Sequence, residues 1–397
     1  MAVAPIYAGS FASLTGMKRP KNAPKKKKSV SPLEDSDDED SAVETLSASD
    51  AWMFPVMGSG VLFSLYMVFR YVDKKYIDMM IAGYFGIMGT LAVAKTGLMI
   101  AQKTIPLALL GPVKKYKMAI ACEGKDVYRM SFSVIHFLLL IVGGALTLYY
   151  TFTKQWIVSN LLGLAFSVNA IQLLNLDSFK TGMILLSGLF FYDVFWVFGT
   201  EVMVTVAKGF DAPIKVIFPR DVIAFYQGVQ GISFAMLGLG DIVIPGIFVA
   251  LCLRFDRHQS WLANPKGDFR STSFAKPYFT ACFIAYFLGL VTTMAVMHFF
   301  QAAQPALLYL SPACILSVLI TAAIRGELSA LFAYVTEDDE NKEAEKKTTS
   351  ASSKKTSSRS QSPAKKPVAE PSSTPSSPSS SKKTASKRKP KSTKASS

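Results

Sequence analysis

Residues 188–198 read GLFFYDVFWVF, a run of aromatic and aliphatic side chains with one carboxylate, Asp193, in its middle. An ionisable side chain at membrane depth costs at least a few kcal/mol, so it is rarely present without a partner or a function. The best candidate for a partner is Asp241, which lies in a second apolar run, FAMLGLGDIVIPG, at residues 234–246. On neighbouring helices, Asp193 and Asp241 would form a pair of carboxylates.

The composition predicts a multi-spanning membrane protein. Of the 397 residues, 50% are hydrophobic, yet the formal net charge is +15. Apolar residues fill roughly positions 52–335, whereas the basic surplus lies in the two tails and a few short loops. This segregation is typical of a chain that crosses a lipid bilayer repeatedly. We therefore do not interpret the positive charge as a nucleic-acid-binding surface, and we expect no nucleic acid partner.

The apolar stretches predict an all-α membrane protein with about nine transmembrane helices. The predicted spans are residues 52–71, 77–94, 96–112, 131–151, 156–174, 181–206, 232–253, 277–299 and 303–324. The span at 96–112 is ambiguous, because it is short and is interrupted by Gln102, Lys103 and Pro106. A helix lying on the membrane surface is the alternative.

The charges of the loops favour a third crossing at residues 96–112. With that crossing and an outer N-terminus, the basic clusters near residues 70–75, 114–117 and 254–270 all face the cytosol, together with the basic C-terminal tail. Without it, the 114–117 cluster would share a side with the neutral loops, against the positive-inside rule. We therefore predict an outer N-terminus and a cytosolic C-terminus.

The chain divides into three parts by composition. Residues 1–51 contain a basic block followed by an acidic block, and residues 328–397 are rich in Ser, Lys and Pro. Segments of this kind, without apolar periodicity, are predicted to be disordered. Residues 52–327 would form the helical membrane domain between the two tails.

The cysteines and histidines give no indication of a metal site. The cysteines are Cys122, Cys252, Cys282 and Cys314. They lack C-x-x-C spacing, and the three histidines are isolated from one another. We expect neither a disulfide framework nor a metal, and no other cofactor.

Two carboxylates on consecutive spans favour peptide hydrolysis over a purely structural role. One ionised carboxylate would activate a water molecule while its protonated twin polarises the scissile carbonyl, so that the pair shares a proton. Gly238 and Gly240 precede Asp241, and the small size of glycine lets another backbone approach closely. Pro305 opens the last span, either as a simple helix start or as an irregular segment that could bind an unwound substrate strand.

Three short motifs resemble the YD, GxGD and PAL motifs of the intramembrane aspartyl proteases, the family that contains presenilins and signal peptide peptidases. They are Tyr192-Asp193, Gly238-Leu239-Gly240-Asp241 and Pro305-Ala306-Leu307. The residues around them are more similar to the signal peptide peptidase branch. The resemblance covers roughly residues 54–327, and three motifs in this order on the expected spans are highly specific.

The resemblance implies a bundle of nine helices in the endoplasmic reticulum membrane, with catalytic aspartates on the sixth and seventh helices. The N-terminal tail would then be luminal and the C-terminal tail cytosolic. The implied substrates are leftover signal peptides and other type II oriented transmembrane segments within the lipid bilayer. A second copy of the chain and the degradation machinery of the reticulum are further candidate partners.

Carried over to this chain, the resemblance makes Asp193 and Asp241 the catalytic pair. Tyr192 would pack or hydrogen-bond beside them, and the Gly238-Leu239-Gly240 segment would give the substrate backbone access to the site. Pro305-Ala306-Leu307 would shape the site and help to dock the peptide. The alternative from another class is a proton- or ion-coupled transporter that uses the two intramembrane acids as charge carriers.

Overall fold

The computed structural model describes residues 1–17, 44–104, 115–122, 125–199, 212–219, 234–265, 272–300 and 305–336. All of these residues belong to one compact unit, Met1–Ala344. Most of the predicted C-terminal tail, residues 337–397, and most of the predicted N-terminal tail, residues 18–43, lie outside the described residues.

The chain folds mainly as α-helices. The helices are α1 (Val3–Ser13), α2 (Ala48–Tyr71), α3 (Lys74–Thr104), α4 (Val134–Thr153), α5 (Trp156–Leu173), α6 (Phe179–Gly199), α7 (Gly240–Ala263), α8 (Pro277–Phe300), α9 (Leu307–Arg325) and α10 (Leu328–Ala333). Among the described residues, seven helices are long and apolar enough to cross a membrane, namely α2 to α6, α8 and α9. The predicted class, an all-α multi-pass membrane protein, is confirmed.

The part of the chain that the structure describes also contains three small two-stranded sheets. The strands are β1 (Glu44–Leu46), β2 (Lys115–Cys122), β3 (Lys125–Ser133), β4 (Leu174–Leu176), β5 (Lys215–Pro219) and β6 (Phe234–Gly238). β1 pairs with β4 in parallel, whereas β2 pairs with β3 and β5 pairs with β6 in antiparallel fashion.

The span predicted at residues 96–112 is not a separate helix. Its first part continues α3, which runs without a break from Lys74 to Thr104. No proline precedes Pro106 in this stretch, so nothing in the sequence ends the helix between the second and third predicted spans. Residues 105–114 lie outside the described residues, and a β-hairpin begins at Lys115.

Residues Val3–Ser13 form a helix in the core, where the sequence predicts a disordered tail. Ile6 of α1 is fully buried, and α1 packs on α5 and α7. A Cβ added at Gly9 would lie 2.8 Å from the Ile171 Cβ on α5, so the two helices are in close contact. The first 17 residues carry no charged side chain, which allows this burial. Together, α1 to α9 therefore make nine packed helices within the described residues.

The compact unit also extends beyond the predicted domain end at residue 327. The Thr336 hydroxyl donates to the Leu176 carbonyl oxygen at 2.9 Å, and the Thr336 N–H donates to the Asp177 carbonyl oxygen at 2.8 Å. Tyr334 is buried against the ring of Phe255, with 5.3 Å between centroids. These contacts hold the chain beside the connection between α5 and α6.

The predicted span at residues 232–253 is wrong at both ends. Phe234–Gly238 is a strand, because it pairs with β5 and because the nearby glycines disfavour helix. Helix α7 begins at Gly240 and continues to Ala263 through Arg254 and Asp256, both of which are buried in the protein. Apolarity alone therefore places this helix 8 to 10 residues too early in the chain.

Helix directions place the ends of α6, α7 and α9 together. Gly182 of α6 faces Phe248 of α7, and Gly289 of α8 faces Leu310 of α9, with a Cβ at each glycine lying 2.6 Å and 3.2 Å from the facing side chain. A second contact joins each pair, since the Phe179 and Phe255 ring centroids are 5.4 Å apart and the Cys282 thiol donates to the Cys314 carbonyl oxygen at 3.9 Å. In both pairs, the later residue of one helix meets the earlier residue of the other, so the two helices run antiparallel. The C-terminal end of α6 meets the N-terminal ends of α7 and α9 at one end of the bundle.

The same packing corrects the assignment of the basic loops. Gly188 of α6 contacts Pro55, and the Trp196 indole N–H donates to the Ser59 hydroxyl at 3.1 Å, so α2 runs parallel to α6. The turn after Arg70 and the buried Arg254 therefore lie at opposite ends of the bundle. The sequence prediction places them on one side because it includes a separate span at residues 96–112.

Candidate active site

Asp193 is buried on α6 and accepts a hydrogen bond from α9. Its side chain is 5% exposed. The Leu307 backbone N–H donates to the Asp193 Oδ2 at 3.3 Å. The first N–H groups of a helix have no partner within the helix, and Leu307 is the first residue of α9. The carboxyl group of Asp193 therefore satisfies a donor that the start of α9 leaves free.

Asp241 lies in the first turn of α7, directly after β6. The Leu239 N–H donates to the Ile214 carbonyl oxygen at 3.0 Å, and the Leu239 carbonyl accepts the Val243 N–H at 2.8 Å. Leu239 therefore connects the two elements. Its N–H bonds to the residue before β5, and its carbonyl oxygen accepts the first hydrogen bond of α7. An acidic side chain in a first turn is favoured by the helix dipole.

Asp193 and Asp241 lie on two helices that are in contact, α6 and α7. Asp193 comes from the C-terminal part of α6, and Asp241 comes from the N-terminal end of α7. Like charges in a buried site resist joint ionisation, so such a pair holds one proton between its members. The packing of α6 on α7 brings both acids to the same end of the bundle, and their role as a catalytic pair stays a prediction.

The two glycines of the GLGD segment have different surroundings. A Cβ added at Gly238 would lie 3.3 Å from the Asp241 Oδ2, which is tighter than ordinary contact. A Cβ added at Gly240 would meet nothing within 4 Å. Gly238 therefore leaves room for the carboxyl group of Asp241, whereas open space surrounds Gly240 at the start of α7.

Tyr192 packs between α6 and α2. Its ring lies 3.6 Å from the position that a Cβ on Gly58 would occupy, and its centroid is 6.3 Å from that of Trp196. The side chain thus fills the contact between α6 and α2, and its role beside Asp193 stays a prediction.

The Pro305-Ala306-Leu307 segment forms a helix start, and its role in docking a substrate stays a prediction. The Pro305 carbonyl accepts the Leu308 N–H at 3.3 Å, and the Ala306 carbonyl accepts the Leu310 N–H at 3.2 Å, so the segment does start a helix. Ala306 and Leu307 are buried in the main core. The segment also reaches the site directly, through the Leu307 N–H.

Sequence reasoning missed Tyr286 on α8. The Tyr286 hydroxyl donates to the Asp241 carbonyl oxygen at 3.3 Å, and the side chain is fully buried. It therefore holds the backbone of the first turn of α7. A buried tyrosine usually hydrogen-bonds through its hydroxyl, but only the packed helices show which atom accepts.

Sequence reasoning also missed the β5–β6 pair. Lys215 pairs with Gly238 and Ile217 pairs with Met236. The pair leads directly into Asp241, so a regular backbone lies beside the carboxylates. The run KVIFP does contain β-branched and aromatic residues, which could have indicated a strand.

Within the described residues, no group of three or more His, Cys, Asp or Glu side chains could hold a metal ion. The described cysteines, Cys252, Cys282 and Cys314, are free and buried. The expectation that no cofactor is used stays a prediction.

Comparison with known proteins identifies close relatives. The model of the family described as "Signal peptide peptidase" matches residues 38–338. The human protein named "Signal peptide peptidase" is 40% identical over 338 residues, which cover 84% of this chain and 81% of the relative. The mouse protein of that name is 41% identical, over 79% and 80% of the two chains. "Intramembrane protease 2" of Caenorhabditis elegans is 48% identical over 214 residues, 53% of this chain and 45% of the relative.

Proposed function

Because this chain belongs to the signal peptide peptidase family, and is thus an aspartic intramembrane endopeptidase, we propose that Asp193 and Asp241 are its catalytic pair. The proposed substrates are signal peptide remnants and other type II oriented transmembrane segments in the endoplasmic reticulum membrane. The observation that supports the assignment is the meeting of α6, α7 and α9, which brings both acids to one end of the bundle and lets the Leu307 N–H donate to Asp193.

The pair would hydrolyse a peptide bond by general acid–base catalysis. The ionised carboxylate takes a proton from a water molecule, whose oxygen attacks the scissile carbonyl carbon, and the protonated carboxyl gives its proton to the carbonyl oxygen. The resulting tetrahedral gem-diol collapses when a proton passes to the leaving nitrogen, and the C–N bond breaks. One proton stays on the pair after each turnover, so no cofactor is needed.

An unwound substrate would bind along β6. A helical peptide bond is shielded by its own hydrogen bonds, so the cleaved segment must be extended, and an extended segment needs backbone partners. The β6 strand ends at Gly238, three residues before Asp241. A substrate strand paired with β6 would therefore pass beside the carboxylates, with the Pro305-Ala306-Leu307 segment bounding the site from α9.

We propose a luminal N-terminus and a cytosolic C-terminus. Met1 lies at the start of α5, where its sulfur is 3.9 Å from the Asn160 Nδ2. Thr336 lies at the other end of α5, beside Leu176. Met1 and Thr336 therefore lie at opposite ends of α5, and the orientation that the family resemblance implies places the end with Thr336 in the cytosol. The carboxylates then lie towards the luminal half of the bundle.

Purified protein in liposomes tests this function directly. A labelled signal peptide is added, and the fragments are identified by mass. We expect cleavage within the apolar core of the peptide, and we expect Asp193→Ala and Asp241→Ala each to abolish it. The control is Asp73→Ala, at an exposed acid in the turn between α2 and α3, which should cleave normally. Turnover by either aspartate variant at the wild-type rate would overturn the assignment. Ion flux without peptide release would favour the transporter.

A further inference from the structure

Asn160 on α5 makes two hydrogen bonds to one residue of β5. The Ile217 N–H donates to the Asn160 Oδ1 at 2.8 Å, and the Asn160 Nδ2 donates to the Ile217 carbonyl oxygen at 2.7 Å. Asn160 is 3% exposed, and the two residues are 57 positions apart in the sequence. The side-chain amide thus binds the backbone of Ile217 as a neighbouring strand would.

The hydrogen-bond pattern of the strand pair shows which edge Asn160 covers. In an antiparallel pair, residues alternate between positions whose backbone groups face the partner strand and positions whose groups face away. The Leu239 N–H donates to the Ile214 carbonyl, so the backbone groups of Ile214 and Leu239 face each other across the strand pair. Ile217 lies three residues after Ile214, so its backbone N–H and carbonyl groups face away from β6 and towards α5. Asn160 therefore occupies the outer edge of β5.

The remaining edge of the pair belongs to β6. Met236 pairs with Ile217, and Gly238 pairs with Lys215. By the same alternation, the backbone groups of Met236 and Gly238 point away from β5. Within the described residues, an added strand that paired with this edge of β6 would lie on the strand that leads to Asp241.

A second residue on the same face of α5 supports this arrangement. Gly163 lies three positions after Asn160, almost one helical turn on. A Cβ added at Gly163 would lie 3.3 Å from the Leu239 Cδ2 and 3.4 Å from the Pro213 carbonyl oxygen. Helix α5 therefore contacts the strand pair and its flanking residues at three places. These are Ile217 in β5, Pro213 just before β5, and Leu239, which lies two residues before Asp241.

We propose that Asn160 is a positioning residue that determines which peptide bond of the substrate is cut. It closes the outer edge of β5 and holds the β5–β6 pair on α5, so that a substrate strand pairs with β6 in one register relative to Asp241. A slip of two residues in that register would keep every side chain on its face and move the substrate by about 7 Å along the strand. The proposal rests on the proposed protease function.

The test compares Asn160→Leu with Asn169→Leu. Leucine has a similar size to asparagine but cannot hydrogen-bond, so Ile217 loses both partners. Asn169 is a second buried asparagine on α5, and it bonds to the Ala92 carbonyl oxygen at 3.0 Å and to Thr96 at 2.9 Å on α3. Its loss should cost comparable stability without touching β5, which makes it the matched control.

We expect Asn160→Leu to cut the labelled signal peptide at additional neighbouring bonds and to lower kcat/KM about tenfold. Asn169→Leu should keep the wild-type fragment masses and their ratios. A merely structural role for Asn160 would lower activity without changing the bonds that are cut. Wild-type fragment ratios from Asn160→Leu would overturn the proposal and leave the catalytic assignment intact.

Hydrogen exchange gives a readout that does not need turnover. We expect the amides of residues 212–219 to exchange about tenfold faster in Asn160→Leu than in wild type. In Asn169→Leu they should exchange at the wild-type rate. Unchanged exchange of this segment in Asn160→Leu would show that Asn160 does not hold β5, whether or not the protein cleaves the peptide.

Discussion

At the scale of residues, the site is made of groups that are adjacent only in the folded bundle. Asp193, Asp241 and the Leu307 N–H come from three helices, and each is placed by a local feature of its own sequence. The Leu307 N–H is free because it begins a helix, and Asp241 is in a first turn because β6 ends at Gly238. The local structure of these three segments thus brings the groups of the proposed site together.

The two glycines before Asp241 should respond differently to alanine. In Gly238→Ala the new methyl group would press on the Asp241 carboxyl group, so we expect kcat to fall about tenfold or more through displacement of that group. Gly240→Ala adds a methyl group in open space, so we expect kcat to be less affected and KM to rise if the substrate backbone approaches there. Steady-state cleavage of the labelled peptide measures both. Equal losses of kcat in the two variants would contradict this account.

At the scale of elements, the close approach of α6 and α7 sets the position of the carboxylates. A Cβ at Gly182 would lie 2.6 Å from the ring of Phe248. We expect Gly182→Ala to destabilise the protein by about 1–3 kcal/mol through overpacking. Thermal unfolding in detergent would measure this loss.

The control for this contact is Gly83→Ala in α3. A Cβ there would meet nothing within 4 Å, and alanine is the better helix former by about 1 kcal/mol. We therefore expect a midpoint equal to or above that of wild type. A Gly182→Ala variant as stable as Gly83→Ala would show that α6 and α7 can separate at no cost.

The elements also show what sequence could and could not predict. Long apolar helices such as α4, α5 and α8 were predicted to within a few residues, because their hydrophobicity is local information. The β5–β6 pair was missed, because a five-residue strand is recognised mainly by its distant partner. The burial of α1 in the core was not predicted. The charged blocks that follow it indicated a disordered tail for all of residues 1–51.

At the scale of the whole molecule, the end of the bundle opposite the carboxylates is fixed by polar contacts. Glu327, between α9 and α10, accepts from the Arg325 Nε at 3.1 Å and from the Tyr278 hydroxyl at 2.8 Å. Asp256 accepts the Phe279 N–H at 2.8 Å. These contacts tie α7, α8 and α9 together, so that the other end can form a site.

The contacts of Glu327 predict a pH-dependent stability. The hydrogen bond from Arg325 lowers the pKa of Glu327 below its ordinary value of 4.5. A lowered folded-state pKa contributes stability that is present above the unfolded pKa and is lost as the pH falls through the folded value. We expect Glu327→Gln to be less stable than wild type at pH 7 by up to about 1 kcal/mol, since the pair is partly exposed.

The difference between wild type and Glu327→Gln should shrink as the pH is lowered below about 4.5. Unfolding midpoints of both proteins across pH 3–7 would measure it. A constant difference over this range would mean that the ionised form of Glu327 contributes nothing. Cleavage at pH 7 should be retained in the variant, because Glu327 is at the far end of the bundle.

The proposed catalytic carboxylates are predicted from sequence by their rarity in apolar spans and by the resemblance of their motifs. Tyr286 and Asn160 are not, because an aromatic residue or an amide in a helix gives no sign of its partner. Their roles depend on which backbone atoms the packed helices bring near them. Side chains that bind a distant backbone are thus the part of such a site that sequence alone leaves unseen.

The central claim is that the carboxyl groups of Asp193 and Asp241 act on one water molecule. It is tested most directly by an experimental structure of the protein with a peptide inhibitor whose hydroxyl group mimics the tetrahedral gem-diol. We predict that this hydroxyl lies within hydrogen-bond distance of a carboxyl oxygen of each aspartate, about 2.5–3.0 Å. An inhibitor hydroxyl that contacts only one aspartate, with the other pointing elsewhere, would contradict the account.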